Sequence, residues 1–99
     1  MPWYAERVIR HFKDDEARKI YNTGRSKKYG SLGRVAARRL GAIDFATTLD
    51  DLRDPPGNRL EALKGDRKGQ YSIRINDRYR VCFRWQDNNA WDVEIVDYH

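Results

Sequence analysis

The order of hydrophobic periods along this chain predicts an α+β fold: two N-terminal helices packed on one face of a four-stranded, mainly antiparallel sheet, in the order β-α-α-β-β-β. Three observations carry that expectation. A short apolar–polar alternation stands near the start, and two stretches with helical spacing follow it, each opened by a residue able to cap a helix. Beyond Gly69 the period drops to two and stays there through three runs separated by turn residues.

Val8-Ile9-Arg10-His11-Phe12 reads as the first strand, with Val8 and Phe12 on one face and Ile9 and His11 on the other. Asp14 or Asp15 offers an N-cap, and Ala17, Ile20 and Tyr21 form an i, i+3, i+4 stripe that closes at Gly24. The basic stretch GRSKKYGSLGR is a connection, and Ser31 opens a second helix with Leu32, Val35, Ala36, Leu40 and Ile43 on one side. Arg34 and Arg38 lie on the other side, so one face is core and one cationic, and the helix should end near Ala46 or Thr47. LDDLRDPPGNRLEALKGDRKG is then a long connection punctuated by Pro55-Pro56-Gly57-Asn58, Gly65 and Gly69.

Tyr71, Ile73 and Ile75 next alternate with Ser72 and Arg74, and Asn76-Asp77 makes a tight turn. Tyr79, Val81, Phe83 and Trp85 alternate with Arg78, Arg80, Cys82 and Arg84, and a turn from Gln86 to Ala90 leads to Trp91, Val93 and Ile95 alternating with Asp92, Glu94 and Val96. The helices should cover the oily face of this meander, leaving Arg74, Arg78, Arg80 and Arg84 on an open face that Glu94, Val96 and Tyr98 share. Asp97 points the other way, toward backbone or a basic side chain. Trp85 and Trp91 flank a turn and read mainly as packing residues, with base stacking as the alternative.

A chain of 99 residues makes one domain with a single modest core. Mean hydropathy is -0.95, polar for a folded chain, yet three Trp, six Tyr and three Phe argue against disorder. No apolar run suits a membrane span or a secretory signal, and the single Cys82 excludes an internal disulfide and a cysteine-based zinc site, so a cytoplasmic protein is expected. His11 reads as a structural or surface histidine, and Cys82 as a small semi-buried strand residue with no base placed to activate it.

The net charge is +5, and its placement is uneven. Six cations and no acid lie between Arg25 and Arg39, and eight cations against Glu61, Asp66 and Asp77 between Arg59 and Arg84. Fourteen of the twenty cations are arginine, whose planar fork suits phosphate contact and base stacking. Such a surface is either a solvated one or a nucleic-acid-facing one. Cleavage of RNA by attack of a 2′-hydroxyl on the adjacent phosphate needs a base, cations for the charge growing on phosphorus, and an acid for the departing 5′ oxygen. Arg80 and its neighbours suit the second role. His99 titrates near neutrality and its terminal carboxylate favours the charged form, which suits the acid; Tyr98 suits stacking on a base or bonding the reacting atoms.

LEALKGDRKGQYSIRINDRYRVCFRW, with VEIVDYH at the end, resembles the HigB-like (plasmid maintenance system killer) toxins of the RelE/ParE superfamily. The likeness covers essentially all of the chain after Val8, most strongly from Leu52 onward, so residues 1–99 form one toxin domain of RelE-like fold with 1–6 as an N-terminal extension. It implies a bacterial type II toxin, a metal- and cofactor-independent mRNA endoribonuclease that cleaves translated mRNA in the ribosomal A site. Its implied partners are the 70S ribosome with its mRNA and a HigA-like antitoxin carrying a helix-turn-helix DNA-binding domain, with operator DNA reached only through that antitoxin and no membrane. The family's functional positions map onto Asp97, Tyr98, His99, Arg80 and Lys64. Glu61 stands where some members carry a histidine, as H-P-L-K-G-D, and is a candidate base. Arg67, Lys68, Arg74, Arg78, Arg84, Arg25, Lys27 and Lys28 are the candidate RNA contacts; Arg34, Arg38 and Arg39 suit either RNA or an acidic antitoxin surface. Two other readings use the same residues: a ParE-like DNA gyrase inhibitor, whose branch generally lacks the terminal D-Y-H set, and a non-catalytic basic nucleic-acid-binding domain.

Overall fold

The computed structural model describes residues 7–98, so His99 and the extension at 1–6 lie outside the described residues. Two helices, α1 (Asp15–Thr23) and α2 (Leu32–Asp44), precede four strands: β1 (Glu61–Ala62), β2 (Gln70–Arg74), β3 (Tyr79–Gln86) and β4 (Asn89–Asp97). The strands lie side by side in that order, every neighbouring pair antiparallel. Helices on one face of an antiparallel sheet is the architecture the periods called for. Among the described residues no helix is long and apolar enough to cross a membrane.

Helix α1 begins where Asp14 accepts the Glu16 N–H at 2.9 Å, and its other carboxylate oxygen accepts the Ile95 N–H at 3.2 Å. One aspartate thus caps the helix and ties it to β4. Gly24, at φ 73°, ends it by returning its N–H to the Ile20 carbonyl. Helix α2 stops at Asp44, slightly before the expected end, and Ser31 makes no side-chain cap bond; a turn over residues 27–31 leads directly into it. Arg34 and Arg38 are exposed, and Ala36, Leu40 and Ile43 are buried, so the expected division of faces stands.

The core lies between the helices and the sheet face bearing Ile73, Val81, Phe83, Val93 and Ile95. Ile20, Leu40, Ile43, Ile73, Val81, Phe83 and Val93 are all fully buried, each worth about 1.5–3 kcal/mol of burial.

Two edges depart from expectation. The segment Val8–Phe12 meets β4 in only two parallel bridges, Ile9 with Ala90 and Phe12 with Val93. Opposite the gap β4 carries a β-bulge: Cys82 pairs with Glu94 but Arg84 pairs with Trp91, so β4 holds one extra residue, and Asp92 takes φ 54°. The bulge interrupts the ladder and reverses the parity of β4. Ala90 rather than Trp91 therefore enters the core, and Trp91 is 40% exposed. At the other edge the long connection supplies β1, two exposed residues with no period to announce them.

The Asp44 carboxylate, 2% exposed, fastens the N-terminal segment. Its Oδ1 accepts the N–H groups of Val8 and Ile9 at 3.0 and 2.9 Å, and its Oδ2 accepts the Tyr21 hydroxyl. Burial and this carboxylate push the Tyr21 phenol up to about 12. The protonated phenol is thereby favoured in the fold, so its contribution is intact below the usual value of 10 and is lost as pH climbs toward about 12. Urea titrations should show stability falling across that window in the wild type and a flatter slope in Tyr21→Phe. Asp44→Ala leaves the Ile9 N–H and the Tyr21 hydroxyl without their acceptor, while the Val8 N–H keeps the backbone carbonyl of residue 44, and should cost roughly 3 kcal/mol in the same experiment.

Candidate active site on the arginine face

The sheet face turned away from the helices is built in rows. Arg74, Arg80 and Val96 are register partners, as are Glu61, Ser72, Cys82 and Glu94 in the next row, and Arg84 with Gln70 and Trp91 beyond. The centre of this face is less open than expected: Ser72 and Gln70 are buried, and Cys82, read as semi-buried, is fully so. Arginines lie flat across it. Arg67 donates to Gln70 Oε1 at 3.0 Å and to Glu94 Oε2 at 3.1 Å. Beneath them burial pushes the Cys82 thiol up to about 11, which leaves it unreactive near neutral pH.

Arg80 is the most constrained of these cations, its side chain only 12% exposed. Its Nε donates to Ser72 Oγ at 2.6 Å and its Nη2 to the Arg59 carbonyl, while a Glu61 carboxylate oxygen stands 3.7 Å away. The guanidinium carbon lies 5.8 Å from the centre of the Tyr98 ring. Arg59 is placed by its neighbour: Asn58, fully buried, donates to the carbonyls of Leu52 and Asp54 and fixes the connection, and Arg59 follows at φ 47°. Tyr98 is placed by backbone, its N–H reaching the Arg78 carbonyl at 2.6 Å and extending the β3–β4 ladder past Asp97.

These side chains enclose a cleft of about 340 Å³ lined by Arg59, Arg74, Arg80, Asn76, Asp77 and Tyr98. Arg74 donates to the Asp77 carboxylate, and Arg39 donates to the Arg74 carbonyl at 2.8 Å from the helix side. A cleft with three guanidinium groups and one phenol on its walls suits a phosphodiester beside a nucleobase. Among the described residues no group of three His, Cys, Asp or Glu side chains is placed to hold a metal ion.

Of the residues singled out from sequence, Arg74, Arg80 and Tyr98 come together here, with Glu61 behind Arg80. Asp97 takes a basic side chain, accepting from Arg78 Nε and Nη2 at 3.0 and 2.8 Å. That bond draws Arg78 off the expected face: it belongs to the turn before β3, free of strand alternation, and its guanidinium packs over the Tyr79 ring at 5.2 Å. Lys64 is exposed and opens the short turn Gly65–Arg67, with Lys68 following it; neither lines the cleft. Arg84 sits further along β3 on Asp92, at 3.3 Å. Arg25, Lys27 and Lys28 lie exposed in the α1–α2 connection, on the helix side of the molecule. Sequence reasoning missed Arg59, Asn76 and Asp77; the buried Asn after Pro-Pro-Gly was the signal that the connection is anchored and Arg59 presented.

Comparison with known proteins bears on this arrangement. Residues 10–99 match the model of a family described as the RelE-like toxin of the type II toxin-antitoxin system HigB. The chain belongs to this family. It is 40% identical to Toxin HigB-1 of Vibrio cholerae over 81 residues, 80% of this chain and 85% of that one. It is 38% identical to Endoribonuclease HigB of Proteus vulgaris over 61 residues, 62% of this chain and 65% of that one. In fold it resembles a chain of the YoeB-YefM complex from Staphylococcus aureus, with a TM-score of 0.61 at 22% identity, covering 96% of this chain and 99% of the other. A toxin of this family has an antitoxin for its partner, and the RelE-like fold expected from the sequence is the one observed.

The way Arg80 is held sets an expectation. Lysine keeps the charge but cannot reach Ser72 and the Arg59 carbonyl together from one planar fork. Arg80→Lys should keep the circular dichroism spectrum of the wild type while its affinity for a short single-stranded RNA falls several-fold, as measured by fluorescence anisotropy.

Proposed function

We propose that the chain is a ribosome-dependent endoribonuclease that cleaves translated mRNA in the ribosomal A site, neutralised by a HigA-like antitoxin with a helix-turn-helix domain. The observation that carries it is the cleft itself: Arg80, largely buried and hydrogen-bonded to Ser72 and the Arg59 carbonyl, beside Arg59, Arg74 and the Tyr98 ring. Its support is the family and the relative whose name states an endoribonuclease.

In this reading the scissile phosphate lies against Arg80. A guanidinium fixed before substrate arrives need not reorganise as charge builds on the phosphorane oxygens, which is where preorganised donors have most effect. Arg59 and Arg74 add positive charge, and Tyr98 stacks on the base at the cleavage point. Glu61, 3.7 Å from Arg80, is the candidate base for the 2′-hydroxyl. His99 follows Tyr98 directly and is the proposed acid for the 5′ oxygen, with Asp97, fixed on Arg78, holding the strand end in line. Lys64 and the cations Arg67, Lys68, Arg84, Arg25, Lys27 and Lys28 serve transcript and ribosomal RNA at longer range. No step calls for a metal or cofactor.

The test is cleavage of a 5′-labelled mRNA with and without programmed 70S ribosomes. Wild type should cut at the A-site codon only when ribosomes are present. Arg80→Ala should lower the rate at least about a hundred-fold, the usual effect of removing one charge-stabilising donor, and so should a chain ending at Tyr98. Cleavage untouched by loss of His99 would keep the enzyme and move the acid to another group. A folded wild type that never cuts would overturn the reading and make DNA gyrase supercoiling the next assay.

A further inference from the structure

Trp91 stands on the arginine face for a reason that packing does not supply. In an unbroken strand it would share the side of Val93 and Ile95 and enter the core. The bulge turns it out, at the expense of a left-handed conformation at Asp92 (φ 54°), which is not a glycine, and of a large aromatic left 40% exposed. Both are unfavourable for folding, and bulges that re-aim a side chain gather beside functional sites.

Its surroundings specify a ligand. Trp91 is the register partner of Arg84, whose side chain is half exposed. Arg84 is held rather than free, with its Nε 3.3 Å from Asp92, which His11 grips from the other side at 2.9 Å. Among the described residues the large exposed hydrophobics are Phe45, Trp91 and Tyr98, and the last two both lie on this face, each beside an arginine. Arg80 with Tyr98 and Arg84 with Trp91 thus each place an aromatic ring beside an arginine of β3, the first pair in a ring–guanidinium contact and the second as register partners. Alternating aromatic platforms and guanidinium groups along a groove are how single-stranded nucleic acid is followed without regard to sequence. Arg80 and Arg84 are four residues apart on β3, about 13 Å, more than one nucleotide needs.

We infer that Trp91 and Arg84 form a second nucleotide-binding site, in which Trp91 stacks on a base of the transcript flanking the one at Tyr98 and Arg84 takes the adjoining phosphate. This site rests on the nuclease reading for its substrate but not for its chemistry, since any single-stranded RNA offers the same base and phosphate.

Two measurements test it on the full chain. The first titrates a 2′-O-methyl single-stranded hexanucleotide, which cannot be cleaved through its 2′ oxygen. It should quench tryptophan fluorescence in the wild type and much less in Trp91→Phe, while Trp91→Ala weakens affinity roughly five- to hundred-fold, the range found for one stacked base, and Trp91→Phe restores most of it. The second uses programmed ribosomes carrying an mRNA abasic at one nucleotide at a time around the cleaved codon. One abasic position should lower kcat/KM for the wild type, mainly through KM, and make no difference to Trp91→Ala. Affinity and kinetics of Trp91→Ala equal to wild type would overturn the site. So would a defect of equal size on every abasic template, which would put Trp91 on ribosomal RNA or protein. RNA binding that depends on Trp91 in a wild type that never cleaves would leave the site standing and remove only the nuclease.

Discussion

A carboxylate taken out of water holds this fold together. Asp44 ends α2, yet its side chain is committed elsewhere: to the backbone of Val8 and Ile9, to the Tyr21 hydroxyl of α1, and at 3.8 Å to Arg7. A buried charge is tolerated only where hydrogen bonds replace its hydration, and here three donors do so from two other parts of the chain. The consequence reaches the sheet. Once Val8 and Ile9 are fixed, the segment lies against β4 and bonds Ala90 and Val93, and β4 is no longer an open edge. His11 is then carried to Asp92, beside Arg84. The geometry of the far end of the arginine face therefore depends on a contact made on the helix side.

At the other end a different constraint operates. Arg80 would be a mobile cation on an exposed strand, but Ser72 and the Arg59 carbonyl hold its fork and Tyr98 covers it. The Arg59 carbonyl is available because buried Asn58 anchors the loop through Leu52 and Asp54. The long connection, which looks like a linker in composition, is thus part of the site. The desolvation that makes Arg80 costly to bury would also strengthen its proposed interaction with a phosphate, and a cation that needs no rearrangement is the more useful one in a transition state.

Much of this could be read from residues alone, and the failures share a cause. Helix α1 was legible because Asp14, the Ala17–Ile20 stripe and Gly24 are local signals, each acting within a turn. The meeting of Arg80 with Tyr98 was legible because strand parity holds along β3 and, past the bulge, again from Val93 to the end of β4, where Val96 is the register partner of Arg80. Trp91 was not, since parity survives only until a bulge, and Asp92 at positive φ advertises none. The turn before it was visible between Gln86 and Ala90, and the structure narrows it to Asp87 and Asn88, which both take the positive φ that a two-residue hairpin wants. Arg78 left its expected face because a turn residue follows the nearest carboxylate and not the pleat. Ser72, on the face expected to be open, and Cys82, read as semi-buried, are both fully buried, because alternation says where a side chain points but not what folds back over it. Long arginine stems do that readily.

Those stems also explain how one small sheet can be both stable and strongly cationic. Arg67 and Arg80 bury their methylenes over the polar side of the sheet and pair with Glu94 and Glu61, so part of the charge is neutralised from within. Arg74 is paired with Asp77, whereas Arg59 at the cleft and Arg84 beside Trp91 are more open to solvent, Arg84 with Asp92 on one flank. Under the proposed function, a phosphate chain on this face would meet cations already oriented by the protein's own carboxylates, with the rings of Tyr98 and Trp91 beside two of them.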